Sequence, residues 1–146
     1  MQNKQVMDEI ERVTLGHYES NAESFCQGTR SHDVSQNINA LVNALPKDRA
    51  LDLLDFGCGP GRDLMAFKSL GHRPTGLDGN KKFCEMAEKH SGCPVLHQQF
   101  LNLNLGVDCF DGIFANASMF HVPSQELSRV LAACHQALRE GGVLFT

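Results

Sequence analysis

Three glycines at alternate positions, Gly57, Gly59 and Gly61, make the stretch of this 146-residue chain best suited to chemistry. They follow a short apolar run, Leu51 to Phe56, and precede an amphipathic one, Leu64–Leu70. That order reads strand, tight turn, helix. Glycine tolerates backbone angles closed to other residues and lets a ligand approach the main chain closely. A helix opening after Gly61 points its free N–H groups into the same crevice. Carboxylates flank the turn: Asp55 two residues before it, Asp63 just after it, and Asp78 at the end of the next apolar segment. A carboxylate at that last place can accept from both hydroxyls of a ribose, or cap a helix over 79–90. His121, with an unperturbed pKa of about 6.5, is a candidate general base or a loop histidine packed on the sheet edge. Nothing in the sequence supplies it an orienting partner.

The spacing separates two chemistries. A dinucleotide-binding turn reads G-x-G-x-x-G, whereas this one reads G-x-G-x-G, one residue shorter, with an acid ahead of it. The stretch Leu51–Asp63, LDLLDFGCGPGRD, resembles motif I of the class I S-adenosylmethionine-dependent methyltransferases. Phe110-Asp111-Gly112-Ile113 resembles that family's fourth-strand signature, and Leu138-Arg139-Glu140-Gly141-Gly142 its L-(K/R)-x-G-G motif before the fifth strand. The matches run from Leu51 to Thr146, in the family's order and at its distances.

The resemblance implies S-adenosylmethionine as cofactor and S-adenosylhomocysteine as product. It implies a seat lined by Gly57, Cys58, Gly59 and Gly61, with Asp78 and Gly79 at the ribose. Asp55 then orders the glycine loop or takes the methionine amino group, or is a structural acid held by loop amides. Asp63 approaches the same amino group, or only complements the helix dipole. Gln99 and Phe100 would give the adenine a polar edge and an apolar wall, where many relatives carry an acid; Phe100 is equally a core residue. The backbone of Asn116 would lie near the transferred methyl. Asn116-Ala117-Ser118-Met119 lacks the Asn/Asp-Pro-Pro-Tyr-like motif of enzymes that methylate base amino groups, so that subclass is rejected. Tyr18 and Phe25 would cover the cofactor and Arg30 hold its carboxylate; otherwise these are helix packing and a solvated charge.

The elements that must position these residues follow from periodicity. Residues 3–26 carry apolar positions at helical spacing, with a slip near Gly16. Ser31-His32-Asp33 offers caps for a helix with Val34, Ile38, Leu41, Val42 and Leu45 on one face, ended by Pro46. Strands are expected at 51–56, 73–77, 94–97, 110–116 and from 143, with helices at 62–70, 80–90 and 123–140 between them. Gly141-Gly142 would stop the last helix. The fold class is α/β, a Rossmann-like doubly wound parallel sheet with helices on both faces. Residues 1–46 form an N-terminal helical extension or lid, and 47–146 the cofactor-binding core. The family usually has seven strands; the sequence stops within the fifth, so the last two are expected to be missing. An exposed fifth strand invites pairing with a second copy.

Composition narrows the function. The net charge of -4 argues against a dedicated binder of nucleic acid or anionic membrane. The polar N-terminus lacks a signal-peptide core, no apolar run is long enough for a membrane span, and a cytoplasmic protein is expected. Six cysteines without C-x-x-C spacing read as reduced, mostly buried residues, with no metal motif. The reading is methyl transfer to a small-molecule acceptor. The alternatives are a non-catalytic module that binds the same cofactor, and an NAD(P)-binding oxidoreductase domain.

Overall fold

A computed structural model describes residues 34–116 and 118–146. The helices expected over 3–26, the caps at Ser31–Asp33, and with them Tyr18, Phe25 and Arg30, lie outside the described residues. The described elements are α1 (Ser35–Asn43), β1 (Asp52–Phe56), α2 (Arg62–Ser69), β2 (Arg73–Asp78), α3 (Lys81–Ser91), β3 (Val95–His97), β4 (Phe110–Phe114), α4 (Leu127–Ala137) and β5 (Leu138–Phe145). Two short 3-10 turns, Met119–His121 and Ser124–Glu126, connect β4 to α4.

The five strands form one sheet in the order β3-β2-β1-β4-β5, and every described pairing is parallel. Parallel central strands are covered on both faces, so successive residues are buried rather than every second one, as Leu53–Phe56 of β1 and Phe110–Phe114 of β4 are. In β1, Leu54 and Phe56 pack with Ile113, Val130, Cys134 and Ala137 beneath α4. Leu53 turns to the opposite face, with Ile38 and Leu41 of α1, Phe67 of α2 and Phe114. Leu64 of α2 joins Ala87 of α3 beside Cys58 and Cys93. The chain runs outward from β1 to β2 and β3, then returns to place β4 on the other side of β1. The strand order therefore reverses between β1 and β4, the place where open α/β sheets form a ligand crevice.

Several boundaries differ from the expectation: β4 ends at Phe114 rather than 116, and α4 begins at Leu127 rather than 123. Helix α1 ends at Asn43, before Pro46, and Val34 stands at its start with no side-chain cap. The last helix stops at Ala137, so Leu138–Glu140 belong to β5 and Gly141-Gly142 lie inside that strand. Leu138 turns extended because it pairs with Phe110, while Val143 pairs with Gly112, leaving an irregularity between them. Gly142 is needed in that bulge, because a Cβ there would lie 2.8 Å from the Arg139 carbonyl and 3.0 Å from that of Asp111.

Charged residues gather at the amino ends of the strands. Arg139 Nη1 reaches Asp52 Oδ2 at 2.8 Å and Asp111 Oδ2 at 3.0 Å. Arg73 pairs with Asp52 at 2.7 Å and Arg49 with Asp111 at 3.2 Å. The Asp52 N–H also donates to Asp111 at 2.8 Å. Hydrogen bonding from Arg73 leads the effects that hold Asp52 below the usual carboxylate range. Burial opposes ionisation of Asp111, but its donors outweigh that and hold it low as well. The cluster ties four strands together at the end away from the glycine turn.

Candidate functional site: the crevice at the carboxyl ends of β1, β2 and β4

The glycine turn takes the conformation its residues were expected to allow. Gly57, Gly59 and Gly61 have φ of 81°, 54° and 98°, a region that side chains strain. The N–H groups of Gly57 and Cys58 both donate to the Leu77 carbonyl, at 2.8 and 2.9 Å. Gly61 begins α2, and a Cβ on it would stand 2.8 Å from Ala87 Cα. Its lack of a side chain lets α2 and α3 come together. Burial pushes the Cys58 thiol up, so it remains neutral and acts as core.

Asp78 ends β2 and is 8% exposed. Its Oδ2 accepts from the Gly59 N–H and its Oδ1 from the Asn80 N–H, both at 2.9 Å. Each oxygen keeps capacity for a second donor. Asp78 does not cap α3, as one expectation had it. Asn80 does, accepting from the Phe83 N–H at 3.0 Å. Asp78 instead ties the glycine turn to the start of that helix. Burial raises its pKa, against the pull of backbone donors led by Asn80 and Gly59.

Asp55 is 2% exposed, and its Oδ2 has no hydrogen-bond partner among the described residues. The reading of a structural acid satisfied by loop amides therefore fails at that oxygen. Burial first, then the neighbouring Asp63 and Asp78 carboxylates, push Asp55 well above the usual range. It favours the neutral acid until a cation arrives. Asp63 lies in the first turn of α2 and accepts from Arg62 Nε at 3.1 Å.

Just beyond β3, Gln99 Nε2 donates to the Gly79 carbonyl at 3.1 Å, as does Nε2 of His97, the last residue of β3, at 3.0 Å. That fixes the Gln99 amide and leaves its Oε1 buried without a partner among the described residues. Phe100 stacks on Phe56 with ring centroids 4.5 Å apart and packs on the main core, as the reading of a core residue expects. Asn116 follows β4, and its Oδ1 accepts from Asn37 Nδ2 of α1 at 3.0 Å. His121 sits in the 3-10 turn after β4 with its ring 4.2 Å from Phe120, and burial lowers its pKa.

Sequence reasoning therefore located the residues at the ends of β1, β2 and β3. It missed His97, Asn80 and Asn37, whose roles depend on partners far along the chain. It also passed over Ser118, which is 3% exposed with an unpartnered Oγ among the described residues. Of the described cysteines, 58, 84, 93 and 134 are buried, Cys109 is exposed, and all five are free thiols. No described helix is long and apolar enough to cross a membrane. As a whole the crevice offers buried acceptors, a neutral hydroxyl and an apolar wall.

The methyltransferase-domain family matches residues 54–146. A mitochondrial ubiquinone biosynthesis O-methyltransferase of Rattus norvegicus is 30% identical over 65% of this chain and 30% of its own length. A ubiquinone biosynthesis O-methyltransferase of Pseudomonas syringae pv. tomato is 28% identical over 95% of this chain and 63% of its own. The chain thus spans less than two thirds of either relative. Among solved structures, a 1,6-didemethyltoxoflavin-N1-methyltransferase of Burkholderia thailandensis, crystallised with S-adenosylhomocysteine, shares the fold at a TM-score of 0.71. It is 22% identical, over 90% of this chain and 59% of that one. By the match over most of its length, and by the sheet and turn described above, this chain belongs to the methyltransferase-domain family, whose cofactor is S-adenosylmethionine.

Proposed function

We propose that the crevice seats S-adenosylmethionine and that the chain transfers its methyl group to a small-molecule acceptor. The observation that carries this is Asp55: a buried carboxyl oxygen without a partner among the described residues, two residues before a glycine turn of positive φ. When bound, the cofactor supplies an electrophilic methyl on a sulfonium, so the acceptor's lone pair forms the new bond as the C–S pair returns to sulfur. The protein's part is alignment and exclusion of water. Asp78 takes the ribose hydroxyls on its remaining lone pairs, with Gly79 beside it. Gln99 Oε1 accepts from the amino group of the adenine, whose ring lies on Phe100. Asp55 accepts from the ammonium, with Asp63 near. Asn116 stands at the methyl, with its side chain anchored by Asn37. Where the acceptor carries a proton, His121 receives it, since burial favours its neutral form.

The net charge of -4 supports the exclusion of nucleic acid. The free thiols support a cytoplasmic setting. The outer edge of β5, which has no strand neighbour among the described residues, supports association with a second copy. Calorimetric titration tests the seat. S-adenosylhomocysteine should bind and NAD should not. Asp78→Ala should weaken S-adenosylhomocysteine about 100-fold, for two lost hydrogen bonds to a charged acceptor. Tighter binding of NAD, or an Asp78→Ala chain with unchanged affinity, would overturn the reading.

A further inference from the structure

Three buried side-chain atoms lack a partner among the described residues: Asp55 Oδ2, Gln99 Oε1 and Ser118 Oγ. All three belong to residues at or beyond the carboxyl ends of strands around one crevice. The first two are accounted for above, and Ser118 is not. It follows β4 and is 3% exposed. A Cβ on Gly57 would lie 2.6 Å from Ser118 Cβ and 3.3 Å from its Oγ. The hydroxyl therefore lies directly against the glycine turn, and Gly57 has no side chain partly because Ser118 fills that space. Proteins seldom seal a hydroxyl from water without giving it a partner. Asp55 stands two residues before Gly57 in the chain, Ser118 packs against it, and the two orphans differ in kind. An ionised Asp55 only accepts, whereas Ser118 can donate. An acceptor just before the turn and a donor packed on it are the complements of an ammonium and a carboxylate carried on the same carbon.

We propose that Ser118 recognises the amino-acid end of the cofactor, its hydroxyl donating to the carboxylate while Asp55 accepts from the ammonium. The assignment rests on the reading of the crevice as the seat of S-adenosylmethionine. It makes Ser118 a binding residue, and no bond forms or breaks at it.

The test compares two ligands on the full chain by calorimetry. S-adenosylhomocysteine has the amino-acid end; 5′-methylthioadenosine keeps the nucleoside and sulfur and lacks it. Ser118→Ala should weaken S-adenosylhomocysteine about tenfold or more, as for loss of a hydrogen bond to a charged group. It should leave 5′-methylthioadenosine within about twofold of the wild type, within the scatter of a change that touches no shared contact. Thermal stability should not fall, because the hydroxyl removed has no partner among the described residues. Ser118→Cys, which keeps the packing but is a weak donor, should show the same selective loss and serves if the alanine chain folds poorly. An unchanged affinity for S-adenosylhomocysteine, or an equal loss for both ligands, would overturn the assignment and mark Ser118 as packing. A wild-type chain that binds neither ligand would overturn the seat itself, and Ser118's role with it.

Discussion

Gly61 and Gly71 form a matched pair for measuring what the close approach of α2 and α3 contributes. Both have strongly positive φ, 98° and 91°. A Cβ on Gly71 would meet nothing within 4 Å, whereas one on Gly61 would lie 2.8 Å from Ala87 Cα and 3.2 Å from the Ala87 carbonyl. Gly71→Ala therefore carries backbone strain alone, about 1–2 kcal/mol for a left-handed alanine, less a few tenths for the stiffer unfolded chain. Gly61→Ala carries the same strain and an overpacking cost of about 1–3 kcal/mol, because the neighbour is backbone and cannot rotate away. The expected losses are about 1 kcal/mol and about 2–4 kcal/mol. Urea unfolding followed by circular dichroism reads both, with the m-value checked for constancy. Moving α3 also moves Asn80 and the loop behind it, so Gly61→Ala should weaken S-adenosylhomocysteine while Gly71→Ala should not. Equal losses of stability would refute the argument that the helix contact, rather than backbone angle, demands glycine at 61.

Two further predictions concern pH. Asp55 has a folded pKa raised above its unfolded value of about 3.9. Its contribution to stability is present at low pH and is lost as pH rises through the folded value. Asp55→Asn should then be more stable than the wild type at pH 7 by at least about 1 kcal/mol, yet bind S-adenosylhomocysteine more weakly. Urea midpoints between pH 4 and 8 that place the variant below the wild type throughout would refute this. Asp111 behaves oppositely, because its folded pKa is depressed. Its stabilisation is present above the unfolded pKa and is lost as pH falls through the folded one. Asp111→Asn should cost about 1.5–3 kcal/mol at pH 7, by taking from Arg49 its carboxylate and leaving Arg139 with Asp52 alone. The gap from wild type should close as the pH falls from about 4 downwards. A gap independent of pH would show that shape rather than charge holds the cluster.

Residues whose meaning is local were readable in advance. The glycine turn is one, because positive φ is written in residue type. The buried strands are another, because Leu53, Leu54 and Phe56 are apolar in succession. The end of α4 was not readable. Leu127, Val130, Leu131, Cys134 and Leu138 keep helical spacing, but Leu138 leaves the helix to pair with Phe110, 28 residues back. A tertiary demand there overrides a good local pattern. The two downstream motifs proved to be partners: Arg139 of the second meets Asp111 of the first. Neither alone indicates that contact. Ser118 carries no periodic signal, and a serine in a loop is unremarkable until its burial is known. The amide pair of Asn37 and Asn116 spans 79 positions, beyond any window of local pattern.

The tether from Asp78 to Gly59 has a consequence for how a guest arrives. The bend is already held in place from within, by an oxygen and an amide that need not let go. Entry then requires stripping water and little folding of the backbone. Most of the ordering entropy was surrendered when the chain folded, and the visitor inherits a furnished room rather than assembling one.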